Sequence, residues 1–189
     1  MTAGVMLNVI GHPGSGKSKV CEYLVNNHGF ETYRPSDTIR NYAASLGILL
    51  SGRKDYAACN IAMVERDPNA MIQPALDSEA DRLCLDGLRS PHNVSTLQAV
   101  GMQTLALVAD PELRYRRVAD DVMRKGHRKP PTFEAFIADE STDNNTTDPR
   151  LPNTEAIIDT AEYTIDASEP LAVVYRRTDE ILAGILSGD

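Results

Sequence analysis

The chain has 189 residues, 42% of them hydrophobic and 24% charged, with 19 Lys and Arg against 27 Asp and Glu for a net charge of −8. This is an ordinary globular composition with room for one domain over residues 1–189. The acidic balance disfavours extended nucleic acid, whose backbone it repels, and no run of about eighteen apolar residues marks a membrane span.

The start, MTAGVMLN, lacks the basic and long apolar regions of a secretion signal. Cys21, Cys59 and Cys84 are odd in number, sit in apolar surroundings and show no metal spacing. They read as reduced, buried thiols, and a cytoplasmic location is expected.

The elements alternate strand and helix, the pattern of an α/β fold with a parallel sheet. An apolar run over 5–10 is the first strand, with Asn8 its one polar member. A helix over 17–27 follows, ended by His28-Gly29, then a short strand over 30–33. Ser36 or Asp37 caps a helix to about Leu46, with Gly47 beyond it. The next helix covers 54–66. Asp67-Pro68 carries a cap-plus-proline signal and restarts a helix to about Ala80. RLCLD, residues 82–86, is a strand, and Ser90-Pro91 opens a helix to Val100. TLALVA, residues 104–109, is apolar enough for a central parallel strand. Asp110-Pro111 opens a helix to about Lys125. A basic loop over 126–131 leads to a short helix over 132–140. Residues 141–153 are polar and read as irregular and mobile. A helical turn or two over 154–160, a strand over 163–166 and a helix over 169–186 close the chain.

Between the first strand and its helix stands Gly11-His12-Pro13-Gly14-Ser15-Gly16-Lys17-Ser18, a full match to G-x-x-x-x-G-K-[ST]. The glycines let backbone N–H groups close on phosphate oxygens, and the helix start adds its free N–H groups and positive dipole end. Lys17 is expected on the β and γ phosphates and Ser18 on Mg²⁺. The whole loop, with Lys19 beyond it, is the candidate site for ATP.

Three further places carry chemistry. Asp86 ends the strand over 82–86, where open α/β sheets bind ligands, and such a carboxylate holds Mg²⁺ in phosphate-loop proteins. Arg89 follows it through Asp86-Gly87-Leu88. Asp37 and Arg40 lie on the first turn of the helix after the second strand, a second possible anion site. The basic stretch Arg114 to Lys129 includes Arg117, Arg124 and Arg128, spaced seven and four apart on one face of a continuing helix. Arginines so placed can stabilise the charge of a moving phosphoryl group, and the proline-ended loop suits a lid.

The segments GHPGSGK, SDTIR and LDGLR, in this order, resemble the adenylate kinase and nucleoside monophosphate kinase superfamily over roughly residues 4–166. The resemblance implies a three-layer α/β/α fold with a five-stranded parallel sheet and a short lid at about 117–140. It implies ATP–Mg²⁺ as donor, with Lys17, Asp86, Arg124 and Arg128 in catalysis. It also implies a small phosphorylated acceptor held by Arg40 and Arg89, with Asp37 and Arg117 beside them. Ser18 directly after Lys17 is more like dephospho-CoA kinases and deoxynucleotide kinases. No proline precedes Arg89, and Lys19 fits none of these patterns well.

The expected activity is therefore ATP-dependent phosphoryl transfer to a nucleotide-like acceptor, foremost a nucleoside or deoxynucleoside monophosphate. A hydroxyl acceptor, as in dephospho-CoA kinase, a modified base in DNA and a non-enzymatic nucleotide-sensing switch are the alternatives. The sequence leaves monomer and homodimer open.

Overall fold

A computed structural model of the chain describes residues 4–125, 132–143 and 147–187, apart from the side chains of 53, 124, 125, 142 and 143. Five strands, β1 (Val5–Ile10), β2 (Glu31–Tyr33), β3 (Arg82–Asp86), β4 (Gln103–Val108) and β5 (Tyr163–Asp166), form one sheet in the order β2-β3-β1-β4-β5. Every neighbouring pair is parallel. The order reverses at β1, which lies between β3 and β4. A crevice opens at such a point beyond the carboxyl ends of the strands, and the phosphate loop leaves β1 there.

Alternation along the strands makes two cores, one on each face. Leu7, Val9, Cys84, Leu105 and Ile165 join Val20 and Leu24 of α1 (Lys17–His28) and Val174 and Leu182 of the C-terminal helix. Met6, Ile10, Leu83, Leu85 and Ala106 face the other way. They pack on α2 (Pro35–Ser45), α3 (Arg53–Arg66) and α5 (Pro91–Gln98). Each leucine buried this completely is worth about 2 kcal/mol against exposure.

Asn8, the polar member of β1, is fully buried but satisfied. Its amide donates to the Leu88 carbonyl at 3.1 Å and accepts from the Leu88 N–H at 3.0 Å. The strand thus grips the Asp86–Arg89 turn directly.

The structure corrects several sequence expectations. α2 is capped by the extended backbone of Arg34, not by Ser36 or Asp37, because Pro35 takes the first helical position, for which its fixed φ is suited. The helix expected from Asp67 to about Ala80 is a turn followed by the four-residue α4 (Gln73–Leu76). Asp67 accepts the N–H of Asn69 in a local turn, and Pro74 cannot sit inside a longer helix. After α6 (Pro111–Lys125), α7 (Phe133–Asp143) takes in the start of the stretch expected to be irregular. Residues 147–153 are tied down: the Pro149 carbonyl accepts from the His92 N–H at 2.9 Å and the Ser90 hydroxyl at 3.1 Å. Asn153 caps α8 (Thr154–Asp159). The last helix, α9, spans Leu171–Ser187. No helix among the described residues is long and apolar enough to cross a membrane.

Candidate active site

The loop from Gly11 to Gly16 needs its glycines for stated reasons. Gly14 has φ +79°, and a Cβ there would stand 2.4 Å from the Arg114 carbonyl oxygen. Gly16, at φ 96°, is the left-handed residue from which α1 starts. The free N–H groups of that helix start therefore face the crevice.

Lys17 folds back over the loop and donates to the carbonyls of Gly11 at 2.7 Å and His12 at 3.1 Å. Burial and the nearby Arg89 guanidinium, against the opposing pull of Asp86, lower its pKa from 10.5 to about 8. Arg89 follows Asp86 on the turn after β3, and its positive charge bears on Lys17. Ser18 donates to Asp86 Oδ2 at 3.3 Å, so the two oxygens expected on Mg²⁺ are neighbours. A hydroxyl and a carboxylate are hard oxygen donors of the kind magnesium takes beside phosphate oxygens, so the residues fit the ion.

Arg34, at the end of β2, places Nε 3.3 Å from the same Asp86 Oδ2. Arg34 belongs to no motif in the sequence; its place at the carboxyl end of a strand is the one signal that points to it.

The remaining sequence candidates divide. Arg40 is exposed on α2; it donates to the Tyr56 hydroxyl at 2.8 Å, pairs with Asp37 and lies over the Tyr56 ring. Arg117, expected beside the acceptor, reaches the carbonyls of Gly14 at 3.3 Å and Ala167 at 2.9 Å. It lines a cavity of about 670 Å³ bounded also by Gly14–Lys19 and by Leu171 and Val174 of α9. Lys19 borders this cavity and pairs with Glu22 on its own helix. The side chain of Arg124 and all of Arg128 lie outside the described residues.

Beneath the loop, His12 Nε2 lies 2.8 Å from Glu155 of α8. Arg114 pairs with Glu140 of α7 and donates to the carbonyls of Ala109 at 3.0 Å and Pro13 at 3.3 Å. Ser15 is buried in the loop, and its hydroxyl has no hydrogen-bond partner among the described residues.

This sheet order, with a phosphate loop at the β1 switch point, defines the class of phosphate-loop α/β kinase folds. Solved structures of that class superpose over nearly the whole chain. A gluconokinase from Sinorhizobium meliloti 1021 shares 19% identity, with 99% of this chain and 94% of that one covered and a TM-score of 0.55. A shikimate kinase from Bacteroides thetaiotaomicron shares 13%, with 95% and 98% covered and a TM-score of 0.58. A sugar kinase from Janibacter sp. HTCC2649 shares 15%, with 94% and 92% covered and a TM-score of 0.51. The chain belongs to the AAA domain family, whose model matches residues 8–147. No curated protein matches the sequence.

Proposed function

We propose that this protein is an ATP-dependent kinase that moves the γ-phosphoryl group of ATP to a small nucleotide-like acceptor, foremost a nucleoside or deoxynucleoside monophosphate. The observation that carries the reading is the contact of Ser18 with Asp86, beside Lys17, where β1 and β3 end and a cavity of about 670 Å³ opens along the loop. The fold shared with kinases supports phosphoryl transfer as the reaction type.

In this reading the loop N–H groups and α1 hold the triphosphate, and the base lies in the cavity past Arg117. Lys17 leaves the Gly11 and His12 carbonyls for the β and γ phosphates, which restore its proton affinity. Magnesium, held by Ser18 and Asp86, neutralises charge on the β and γ oxygens when bound. Arg89 draws the acceptor phosphate toward the γ-phosphate and offsets their repulsion. The acceptor needs no general base, because a phosphate oxygen is already an anionic nucleophile.

One observation favours a second reading. Arg40, expected to bind acceptor phosphate, is already engaged by Asp37 and Tyr56. A carboxylate there suits a hydroxyl acceptor, whose proton needs a base.

A screen of γ-labelled ATP against nucleoside monophosphates, deoxynucleotides, dephospho-CoA and short DNA tests both. Label on a monophosphate supports the first reading; label only on a hydroxyl acceptor supports the second. Tight ATP binding with transfer to none of them contradicts both and leaves a nucleotide-sensing switch.

A further inference from the structure

Arg34 stands at a junction. On one side is the pair expected to hold magnesium: its Nε lies 3.3 Å from Asp86 Oδ2, the same oxygen that accepts from Ser18 at 3.3 Å. On the other side is α2, which Arg34 caps and which carries Asp37 and Arg40. The Asp86 side chain is only 10% exposed, whereas that of Arg34 is 49% exposed. The carboxylate is therefore fixed while the guanidinium has room to swing.

We propose that Arg34 is the counter-ion of Asp86 before magnesium binds, and that the metal displaces it onto the phosphoryl group in transfer. This rests on the phosphotransfer reading above. A guanidinium and a divalent cation on one carboxylate oxygen repel one another, which favours release of the more weakly held of the two. Asp86 Oδ2 would stay with magnesium, which carries twice the charge. Arg34 is left as a cation on an exposed stem beside the path from donor to acceptor.

The charge that awaits it is that of the transferred group. The bond from the γ-phosphorus to the β–γ bridging oxygen breaks, and that oxygen leaves on ADP. A bond from an acceptor oxygen to the same phosphorus forms. Negative charge spreads over the three equatorial oxygens in between, and an arginine fork matches such oxygens. The exchange also explains why an arginine occupies an exposed position at a strand end. As a permanent partner of Asp86 it would only oppose the metal; as a displaced one it joins the reaction when the metal is in place.

The exchange makes a prediction that a merely structural arginine does not. Removing Arg34 should tighten the hold on magnesium while slowing transfer. The test uses the full chain and a fluorescent, non-hydrolysable β,γ-imido analogue of ATP. Its dissociation constant is measured with magnesium and with a chelator, in wild type, Arg34→Ala and Arg34→Lys, beside kcat with ATP. The ratio of the two constants reports the coupling of metal to nucleotide. In Arg34→Ala that ratio should rise about fivefold, the worth of an exposed ion pair removed from competition. Its kcat should fall by about tenfold or more, since arginines on a transferring phosphoryl group are worth at least that. Arg34→Lys should keep a ratio near that of wild type, because its charge remains, while kcat falls for want of the fork. Melting temperatures within a few degrees of wild type establish that the variants fold; Arg34→Lys carries the test if Arg34→Ala does not. A ratio that falls or stays level in Arg34→Ala, or an undiminished kcat, overturns the exchange. Failure of wild type and variants alike to bind the analogue overturns the phosphotransfer reading itself.

Discussion

The Arg114 guanidinium and the Glu140 carboxylate form a two-point pair between α6 and α7, with side chains only 6% and 10% exposed. Arg114 opens the basic stretch just before the lid expected at about 117–140, and its other bonds go to the carbonyls of Ala109 and Pro13. It braces the phosphate loop from below. Glu140→Ala leaves a buried cation without its partner and should cost about 3 kcal/mol or more of stability. Urea unfolding of wild type and variant checks this; equal midpoints would remove the brace.

The same contact sets the demand on Gly14. Gly14→Ala adds a Cβ 2.4 Å from the Arg114 carbonyl oxygen at φ +79°, whereas Gly16→Ala meets nothing within 4 Å and bears only the strain of its φ. Gly16→Ala should cost about 1 kcal/mol. Gly14→Ala should cost clearly more and weaken ATP-analogue binding as well. Thermal melts and a binding titration of both variants separate the two; a milder Gly14→Ala would mean that the loop yields freely.

Lys17 gives the site a pH dependence with a definite sign. Its pKa in the ligand-free protein is lowered to about 8, chiefly by burial and then by Arg89. Below pH 8 the ammonium is present and nucleotide affinity is full. Above it the free protein loses the proton that the phosphates require, so affinity should fall, by up to about tenfold per pH unit, until the bound-state pKa is reached. Binding near pH 9 should therefore take up a proton. For folding the sign is opposite. The unfolded chain, with the ordinary pKa of 10.5, holds the proton more tightly, so this residue's penalty on stability is full below pH 8 and is relieved as pH rises toward 10.5. Calorimetry in buffers of different ionisation heats measures the proton uptake; its absence at pH 9 would contradict the shift.

Asp86 lies at the end of β3, not in either hydrophobic core. Asp86→Asn retains a side-chain oxygen for Ser18 but loses the charge for magnesium. kcat should drop by about a hundredfold or more while the melting temperature moves by only a few degrees. Loss of fold, or full activity across magnesium concentrations, would assign Asp86 another role.

The phosphate loop was legible because its chemistry demands fixed types at fixed spacing, between a strand and a helix that the hydrophobic pattern also marks. The nearness of Asp86 to the phosphate loop was legible for a related reason: the end of a parallel strand is a place as well as a residue. Arg34 occupies such a place too, but before a proline, where the local pattern speaks only of a helix start. The partners of His12 and Arg114 lie on α7 and α8, far along the chain, and nothing local in the sequence points to Glu140 or Glu155. The stretch Asp67 to Ala80 misled because one cap-plus-proline signal suits both a helix and a turn. Pro74 decides between them.

Phosphoryl transfer through the phosphate loop is decided by single-turnover transfer from γ-labelled ATP to the best acceptor of the screen, in wild type and in Lys17→Ala. One ADP should form for each labelled acceptor in wild type, with transfer abolished or slowed by several orders of magnitude in Lys17→Ala. Transfer by Lys17→Ala at the wild-type rate would contradict it.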